Sequence, residues 1–374
     1  MIKVLNVISD TNVGGAGRVI LNYLKYCDRK NFDISVVMPK GSLLKERVER
    51  FGVKVYEIDG MADKSLDFGA IGRLKTVIKK ENPDIVHTHG SMSGRIAGRQ
   101  CGKKVIYTRH SAFPVSPRIK KGIGRFINKT VNEHYADRII AVSPATAENL
   151  TDGGISESLI DIVLNGVEPV ALKTPEETEK KREEFGILHG EFTAGIMARI
   201  EDYKGHLDIL GAAKILKDGG RKFKILIAGT GGFEGEVRKK IGELGLEDRV
   251  LMLGFVDDVS SVLSMLDVQL NASYGTEATS LALLEGFSAG IPAVVSDYGG
   301  NPWLVEDGVN GYIFKTRDTC GLADALGRLM DRPDILESMK AQARRIYNEK
   351  FTGKIFAENI EKIYTQTLKG AQNG

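Results

Sequence analysis

Cysteine is scarce in this sequence, and long apolar runs are missing. The three cysteines, Cys27, Cys101 and Cys320, are scattered and odd in number. They match no metal-ligand spacing, so a disulfide-stapled scaffold and a zinc site are excluded, and reduced thiols are expected. No apolar run approaches the roughly 18 residues of a membrane-spanning helix. An apolar run follows Met1 without a basic leader, which predicts a cytoplasmic protein without a secretory signal.

Acidic residues are absent from one long segment. From Ile85 to Asn132 there is no aspartate or glutamate, whereas ten lysines and arginines fall there in a chain with a net charge of +3. Such a basic patch attracts anionic partners. Few aromatic residues lie among its cations, which argues against nucleic-acid binding.

Residues 117–130 of this segment combine cations with apolar residues at helical spacing. The apolar residues and the cations beside them are Ile119, Ile123, Phe126 and Ile127 with Arg118, Lys120, Lys121, Arg125 and Lys129. A surface helix of this type can rest on an anionic membrane. The alternative is a buried apolar face with solvated lysines.

Short apolar segments alternate with amphipathic ones along the first half of the chain. Strands are predicted at Ile2–Ile8, Asp33–Met38, Lys54–Ile58, Asp84–His87, Lys104–Thr108 and Arg138–Val142. Helices are predicted at Arg18–Tyr26, Ile71–Lys80 and Pro144–Leu150. Valine and isoleucine runs joined by helical crossovers indicate a parallel sheet covered on both faces.

The same alternation restarts after residues 169–181, a polar stretch with two prolines that is predicted to be a linker between domains 1–168 and 182–352. Strands are predicted at Thr193–Met197, Phe223–Ala228, Val250–Leu253, Val268–Asn271, Ala293–Ser296 and Gly311–Phe314. Helices are predicted at Gly205–Lys217, Glu234–Leu244, Val256–Leu266 and Leu281–Ala289. The sequence therefore predicts an α/β protein of two doubly wound, Rossmann-like domains facing across a cleft, with ligands at the carboxyl ends of the strands.

A glycine-rich loop, Gly14-Gly15-Ala16-Gly17, follows the first strand and opens a helix. Glycines let the backbone approach a ligand, and a helix N-terminus favours an anion. The dinucleotide fingerprint is not met, because Ile20 stands at its third glycine and no acid follows the second strand. A tight strand–helix turn is the alternative interpretation.

Two cations follow the first strand of the second domain. Arg199 offers a bidentate fork and Lys204 a point charge, and both are placed to hold a diphosphate. The alternative is that both are solvated surface cations.

Two glutamates flank a predicted helix N-terminus between Tyr274 and Glu285. Thr279 or Ser280 suits the N-cap, which leaves the amides of the first turn available for phosphate. Glu277 precedes the helix, and Glu285 lies about one turn inside it, where it can accept hydrogen bonds from a ribose. Eight helical steps would separate them by about 12 Å, more than in a glycosidase carboxyl pair. The alternative is a surface Glu277 with a partly buried, paired Glu285.

Histidines end two neighbouring predicted strands. His87 and His89 lie on the same side of their strand, where one can simply fill the top of the sheet. His110 lies just past the next strand, where its side chain can serve a ligand. None of the three shows metal-ligand spacing, and no metal site is predicted.

Together these motifs resemble the family 4 retaining glycosyltransferases with the GT-B fold. The resemblance covers nearly the whole chain, in order, through Gly14-Gly15-Ala16-Gly17, Asp84–His89, Asn165-Gly166-Val167, Arg199 with Lys204-Gly205, Ala228-Gly229-Thr230-Gly231, Glu277 with Glu285, and Gly299-Gly300-Asn301-Pro302. It implies that a terminal helix, residues 355–374, crosses back to the first domain. The first domain would then bind the acceptor and the second the nucleotide sugar.

The resemblance also implies roles for the matching residues. Arg199 and Lys204 would grip the donor diphosphate, Glu277 the hydroxyls of the donor sugar, and Glu285 the ribose. His110 would lie near the transferring sugar. The remaining implied donor-binding residues are Gly15, Ala16, Gly229, Gly231, Phe255, Val256, Thr279, Ser280 and Leu281. The basic patch, which would serve the acceptor or a membrane, is Arg109, Arg118, Lys120, Lys121 and Arg125.

The implied activity is hexosyl transfer from a nucleotide sugar, with a UDP-sugar as the expected donor, to a glycan or lipid-linked acceptor. Neither a cofactor nor a metal is implied, and front-face displacement would retain the anomeric configuration. Such an enzyme would build polysaccharide or cell-envelope glycans in the cytoplasm, at the inner face of the membrane.

Departures from the family pattern leave the identity of the donor sugar open. Ala278 and Thr279 follow the first glutamate, Gly286 stands where alanine is usual, and Trp303 where an acid is common. Two other functions remain as alternatives, namely a nucleotide-sugar epimerase of the same fold and a non-catalytic nucleotide-sugar-binding subunit.

Overall fold

The computed structural model describes residues 1–61 and 64–370, and the chain divides into two compact units. Unit 1 comprises Met1–Val167 and Phe351–Gly374, and unit 2 comprises Glu168–Lys350. The end of the predicted terminal helix, residues 371–374, lies outside the described residues.

Unit 1 is built on a parallel sheet. Its described strands are β1 Ile2–Ile8, β2 Phe32–Pro39, β3 Lys54–Ile58, β4 Ile85–His89, β5 Lys104–Arg109, β6 Arg138–Ala141 and β7 Ile160–Ile162. They lie in the order β3-β2-β1-β4-β5-β6-β7, and each described pairing is parallel. The helices between them are α1 Gly15–Tyr26, α2 Lys45–Glu49, α3 Phe68–Glu81, α4 Met92–Gln100, α5 Pro117–Lys120, α6 Gly122–His134 and α7 Pro144–Asp152.

Unit 2 repeats this architecture. Its described strands are β8 Phe192–Met197, β9 Phe223–Ala228, β10 Val250–Gly254, β11 Val268–Asn271, β12 Ala293–Ser296 and β13 Gly311–Phe314, in the order β10-β9-β8-β11-β12-β13. Its helices are α8 Pro175–Glu184, α9 His206–Asp218, α10 Glu234–Leu244, α11 Val259–Leu263, α12 Leu281–Ser288, α13 Asn301–Leu304, α14 Thr319–Asp331 and α15 Pro333–Lys350. The prediction of two doubly wound α/β domains is confirmed. Over residues 1–61 and 64–370, no helix combines the length and the apolar character needed to cross a bilayer.

The last helix, α16 Gly353–Lys369, returns to unit 1 as predicted. The Val167 amide donates to the Phe351 carbonyl, and the Gly353 amide donates to the Val167 carbonyl, so the two ends of the unit are tied together. Tyr364 of α16 is fully buried, and its hydroxyl lies 2.8 Å from His87 Nδ1. The terminal helix is therefore part of the core of unit 1.

The predicted linker is wrong over its second half, where α8 begins. The Thr174 hydroxyl accepts from the Glu177 amide at 3.2 Å, and the Glu177 carboxylate accepts from the Thr174 amide at 2.9 Å, which forms a capping box. The buried Arg182 holds the helix in place by donating to the Met265 carbonyl at 3.0 Å. The helix was missed because its sequence, PEETEKKREE, has no apolar face.

Other elements were missed because their apolar patterns are weak. The edge strand β7 has only three residues, none of them buried. Helix α4 faces the sheet with small residues, and a Cβ atom at Gly94 or Gly98 would lie 3.0 Å from side chains of Val7 or Val105. A helix that packs through glycine shows little hydrophobic periodicity.

Three histidines form a polar cluster inside unit 1. The rings of His87 and His89 lie 4.4 Å apart, and His89 Nδ1 lies 2.9 Å from His110 Nε2. Burial lowers the pKa of His87 to about 3 and that of His110 to about 4, and burial next to these neighbours holds the pKa of His89 well below its usual range. All three rings are therefore neutral at pH 7.

A close approach of α12 to β11 explains the unusual Gly286. Gln269 of β11 is buried and donates Nε2 to the carbonyls of Leu283 at 3.3 Å and Ile291 at 3.1 Å. A Cβ atom at Gly286 would lie 2.0 Å from Gln269 Nε2. The glutamine amide thus occupies the space that the methyl group of an alanine at position 286 would need.

We expect Gly286→Ala to lower the free energy of unfolding by about 2–4 kcal/mol, because the methyl group displaces Gln269 from its partners. Shortening the glutamine in Gly286→Ala/Gln269→Ala should recover part of this loss. Gly327→Ala is the control, since Gly327 lies in α14 with no atom within 4 Å of its Cβ position. That control should stabilise by about 0.5–1 kcal/mol. Equal effects of both substitutions in urea denaturation would contradict the account.

Stability should fall as the pH drops from about 6.5 towards 4. An unfolded histidine has a pKa near 6.5, so in this range the unfolded chain binds protons that the folded chain does not. The fully buried His87 alone contributes a loss of about 1.4 kcal/mol per pH unit below 6.5. Urea denaturation at pH 7, 6 and 5 measures the slope, which His189→Gln should not change because His189 is exposed. A flat profile between pH 7 and 5 would rule out neutral buried histidines.

Candidate active site

The order of the unit 2 sheet reverses between β8 and β11, which lie side by side. In doubly wound sheets this switch point opens a crevice at the carboxyl ends of the strands, where ligands bind. Arg199 and Lys204 follow β8, and Glu277 follows β11. These three predicted site residues therefore belong to the two strands that border the switch point.

An ion pair joins the two strand ends. Lys204 Nζ lies 2.9 Å from Glu277 Oε2, and the two side chains are only 17% and 6% exposed. Asn271 Nδ2 and Ser273 Oγ donate to the same Oε2, each at 3.0 Å. All three contacts are made by Oε2 and none of them by Oε1, the second oxygen of the carboxylate. A surface position for Glu277, which the sequence left open, is wrong.

Glycines allow the loops that carry this pair to approach each other. Gly205 has φ +73°, and a Cβ atom there would lie 2.1 Å from the Ala272 carbonyl oxygen. Gly299, at φ +58°, packs in the same way, since a Cβ atom there would lie 2.3 Å from the Glu277 carbonyl oxygen. Gly300 then donates its amide to that carbonyl at 2.8 Å. A larger residue at position 205 would push the Lys204 loop away from Ala272, and a larger residue at position 299 would displace the backbone of Glu277.

Arg199 is exposed, and its Nη2 donates to the Tyr203 hydroxyl at 3.2 Å. Gly229 and Gly231, predicted to bind the donor, pack against the backbone on either side of it. Their Cβ atoms would lie 1.9 Å from the Ala198 carbonyl oxygen and 2.1 Å from that of Ile200. The structure thus gives the two glycines a packing role beside Arg199.

Helix α12 begins in the predicted place. Ser280 is its N-cap, accepting from the Leu283 amide at 3.4 Å, so of the two candidates Ser280 rather than Thr279 forms the cap. Leu281 is the first helical residue, and Glu285 is buried in the second turn at 8% exposure. Because the helix starts only at Leu281, the stretch from Glu277 to Glu285 is partly loop and not a continuous helix.

The two residues predicted for a base pocket lie after β10. Phe255 is 75% exposed, whereas Val256 packs against the apolar cluster around Leu226 and Leu263. The predicted helix from Val256 begins only at Val259. Trp303 of α13 is also half exposed, at 52%.

The switch point of unit 1 lies between β1 and β4. After β1, Gly15 and Ala16 open α1, and the N-cap Gly14 supplies no side-chain hydrogen bond. A Cβ atom at Gly15 would meet nothing within 4 Å, so this loop has open space beside it. His110 follows β5 and is partly exposed.

Residues 117–134 of the basic segment and just beyond it form α5 and α6. In α6 the polar face packs against the protein and the apolar face points to the solvent, the reverse of an ordinary amphipathic helix. Its polar side faces unit 1: Asn128 Nδ2 donates to the Gly153 carbonyl at 2.8 Å, and Asn132 Oδ1 accepts from Arg95 at 3.0 Å. Its apolar side is exposed at Ile123 (79%), Phe126 (69%) and Ile127 (55%). The alternative of a buried apolar face is therefore wrong.

The cations of the basic patch are divided between two environments. Arg109 is half-buried, and its Nε donates to the Ser111 carbonyl at 2.9 Å. The other cations of the patch are exposed: Arg118 and Lys120 on α5, Lys121 between the two helices, and Arg125 on α6. Lys120 pairs with Asp152 at 3.4 Å, and Arg125 donates to the Thr151 carbonyl at 3.2 Å.

Sequence reasoning missed several polar residues of these clusters. Asn271 and Ser273 hold the Glu277 carboxylate, Tyr203 contacts Arg199, and Asn6 lies 3.0 Å from His89. Only the position of Asn271, at the end of a strand that borders the switch point, could have indicated from the sequence that it belongs to the site. In the described ranges, no group of three or more histidine, cysteine, aspartate or glutamate residues is arranged to hold a metal ion.

Two family profiles match the chain and together span most of it. Residues 13–170 match Glycosyltransferase Family 4, and residues 177–346 match Glycosyl transferases group 1. The boundary between the two matches falls close to the boundary between units 1 and 2.

Related proteins and solved structures agree with these matches. The chain is 30% identical to the 2-deoxystreptamine glucosyltransferase of Streptomyces kanamyceticus, over 68% of this chain and 70% of the relative. It is 25% identical to the UDP-Gal:alpha-D-GlcNAc-diphosphoundecaprenol alpha-1,3-galactosyltransferase of Escherichia coli, over 97% and 95% of the two chains. The crystal structure of Anabaena HepE in complex with UDP matches 98% of this chain and 100% of its own, with a TM-score of 0.84 at 20% identity. The chain therefore has the GT-B fold and belongs to the family 4 glycosyltransferases.

Proposed function

We propose that this glycosyltransferase moves a hexosyl group from a UDP-sugar to a glycan or lipid-linked acceptor, with retention of configuration and without a metal. Unit 2 would bind the nucleotide sugar and unit 1 the acceptor. The observation that carries the proposal is the Lys204–Glu277 pair beside the N-terminus of α12, at the switch point of unit 2.

The pair supplies the two kinds of contact that a sugar diphosphate needs. Lys204 and the exposed Arg199 provide positive charge for the leaving diphosphate, and fixed charges of this kind usually contribute most to the rate of such reactions. The first amides of α12 add donors for the distal phosphate. Glu277 Oε1 is placed to accept from a sugar hydroxyl, and Glu285 from the ribose. The leaving phosphate oxygen would take the proton of the acceptor hydroxyl.

Similarity supports both substrates. The relative from Escherichia coli is named for a UDP-Gal donor and a diphosphoundecaprenol-linked acceptor. Structures of Anabaena HepE contain UDP and UDP-glucose. We therefore propose a hexose donor carried by UDP and an acceptor presented on a lipid carrier or a growing glycan.

The exposed face of α6 fits such an acceptor. Ile123, Phe126 and Ile127 form an apolar stripe, and Arg118 and Lys121 lie exposed beside it. An apolar stripe flanked by cations is suited to an anionic membrane surface. We propose that unit 1 rests on the membrane through α5 and α6 and so meets a lipid-linked acceptor.

A ligand panel tests the proposed function. UDP-, GDP- and ADP-sugars are compared by thermal shift, and nucleotide release is then followed with lipid-linked and soluble acceptors in the presence of EDTA. We expect a UDP-sugar to stabilise the protein and turnover to need an acceptor. Stabilisation by none of the sugars would overturn the proposal. Conversion of the sugar without acceptor would indicate an epimerase, and binding without turnover a non-catalytic subunit.

We expect Lys204→Met to reduce turnover by about 10²–10³-fold, because the leaving diphosphate loses a fixed cation. It should also destabilise by about 3–5 kcal/mol, since Glu277 keeps a buried charge without its partner. Lys204→Met/Glu277→Gln should regain most of the stability but not the turnover. The control Lys217→Met breaks an exposed pair with Asp248 and should change neither. Wild-type turnover in Lys204→Met would remove Lys204 from the mechanism.

We expect the protein to bind phosphatidylglycerol vesicles at low salt and not phosphatidylcholine vesicles. Ile123→Ser/Phe126→Ser should weaken this binding about tenfold or more without loss of stability, because both side chains are exposed. Leu188→Ser is the matched control, since Leu188 is 64% exposed in unit 2. Sedimentation with vesicles measures the effect, and the absence of binding to acidic vesicles would eliminate the membrane proposal.

A further inference from the structure

Asn6, His89 and His110 form a hydrogen-bonded chain at the switch point of unit 1. Asn6 lies on β1, His89 ends β4, and His110 follows β5. Asn6 Oδ1 is 3.0 Å from His89 Nε2, and His89 Nδ1 is 2.9 Å from His110 Nε2. Asn6 and His89 are buried, whereas His110 keeps part of its surface exposed. The chain therefore runs from the sheet interior to one accessible imidazole.

The amide oxygen gives this chain a direction. An asparagine oxygen can only accept, so His89 must carry its proton on Nε2. The bare Nδ1 of a neutral His89 can only accept, so His110 must donate from Nε2. Its own Nδ1 is then left as an acceptor. Both rings are neutral, because burial lowers the pKa of both histidines, that of His110 to about 4.

The two ends of the Asn6 amide have different surroundings. Oδ1 lies 3.0 Å from His89 Nε2. Asn6, Tyr23 and Asn165 line one cavity, where Asn6 Nδ2, Tyr23 OH and Asn165 Oδ1 are buried without a hydrogen-bond partner among the described residues. The amide oxygen of Asn6 is therefore the group that meets His89.

The neighbouring His87, unlike His89, has only hydroxyl groups as hydrogen-bond partners in the described part of the chain. Its Nδ1 lies 2.8 Å from the Tyr364 hydroxyl and its Nε2 2.7 Å from the Thr108 hydroxyl. A hydroxyl can donate or accept, so neither partner selects a tautomer. The directed chain is therefore a property of His89 and His110, and Asn6 is the residue that imposes it.

We propose that Asn6 is a positioning residue which, through His89, fixes His110 in the tautomer that presents Nδ1 as a hydrogen-bond acceptor to a hydroxyl of the transferred sugar. This inference rests on the proposed function and on the position near the transferring sugar that the family resemblance implies for His110. An imidazole that can only accept at Nδ1 favours sugars that have a hydroxyl opposite it, and it disfavours analogues without that hydroxyl.

Solid-state ¹⁵N NMR of the full chain labelled at histidine nitrogens reports each tautomer without any need for activity, with signals assigned by His89→Gln and His110→Gln. We expect Nε2–H at His89 and His110 in the wild type and in Asn6→Asp, which keeps an acceptor. Asn6→Leu should give a mixture at both rings. Thr108→Val, which acts on His87, should leave them unchanged. A proton on Nδ1 of His110 in the wild type would overturn the proposal, and so would an unchanged tautomer in Asn6→Leu.

Kinetics separate positioning from structural damage. We expect kcat/KM for the nucleotide sugar to fall about tenfold in Asn6→Leu, the effect of one hydrogen bond, and to recover in Asn6→Asp. Affinity for UDP alone, which lacks the sugar, should not change. An equal loss of UDP affinity would show damage and overturn the proposal. A wild-type protein that binds no nucleotide sugar would defeat the proposed function, whereas the wild-type spectrum decides the tautomer even if Asn6→Leu fails to fold.

Discussion

The buried carboxylate of Glu277 requires a counter-charge, and this requirement organises the site of unit 2. A carboxylate that is 6% exposed is stable as an anion only when it is paired and hydrogen-bonded, and Lys204, Asn271 and Ser273 meet that need on one oxygen. Lys204 reaches it because Gly205 lets its loop lie against the end of β11. Under the proposed function, Lys204 would offer its charge to a phosphate and Glu277 its carboxylate to sugar hydroxyls. Fixed charges of this kind would favour transfer from a charged donor.

The two units carry different kinds of side chain at the same topological position. At the switch point of unit 2, Lys204 and Glu277 are charged, which would suit a sugar diphosphate. At the switch point of unit 1, burial lowers the pKa of His87, His89 and His110, so this histidine cluster is neutral. A neutral polar cluster can direct hydrogen bonds to hydroxyl groups without attracting the phosphates. Unit 1 also carries exposed cations on α5 and α6, where an apolar stripe accompanies them.

Strand positions could be read from the sequence because buried parallel strands are continuous apolar runs, and all the predicted strands form within two residues of their expected ends. The strand order then places Arg199, Lys204 and Glu277 beyond the carboxyl ends of two neighbouring strands. Side-chain partners could not be read in the same way. The contacts of Asn271 and Ser273 with Glu277 depend on loop geometry, and the space for Gly286 depends on Gln269 from another element. The sequence left open whether the apolar face of α6 points outward, since helical periodicity does not say which face meets the protein.

Hydrogen–deuterium exchange of the full chain, with and without UDP-glucose, tests most directly the central claim that a nucleotide sugar binds at the β8–β11 switch point of unit 2. The account predicts slower exchange in peptides covering residues 199–205 and 277–285, because phosphate and sugar bind the first amides of α12 and the loop of Lys204. Residues 122–134, in α6, should not change. Binding of UDP-glucose that leaves both unit 2 segments unprotected would contradict the account.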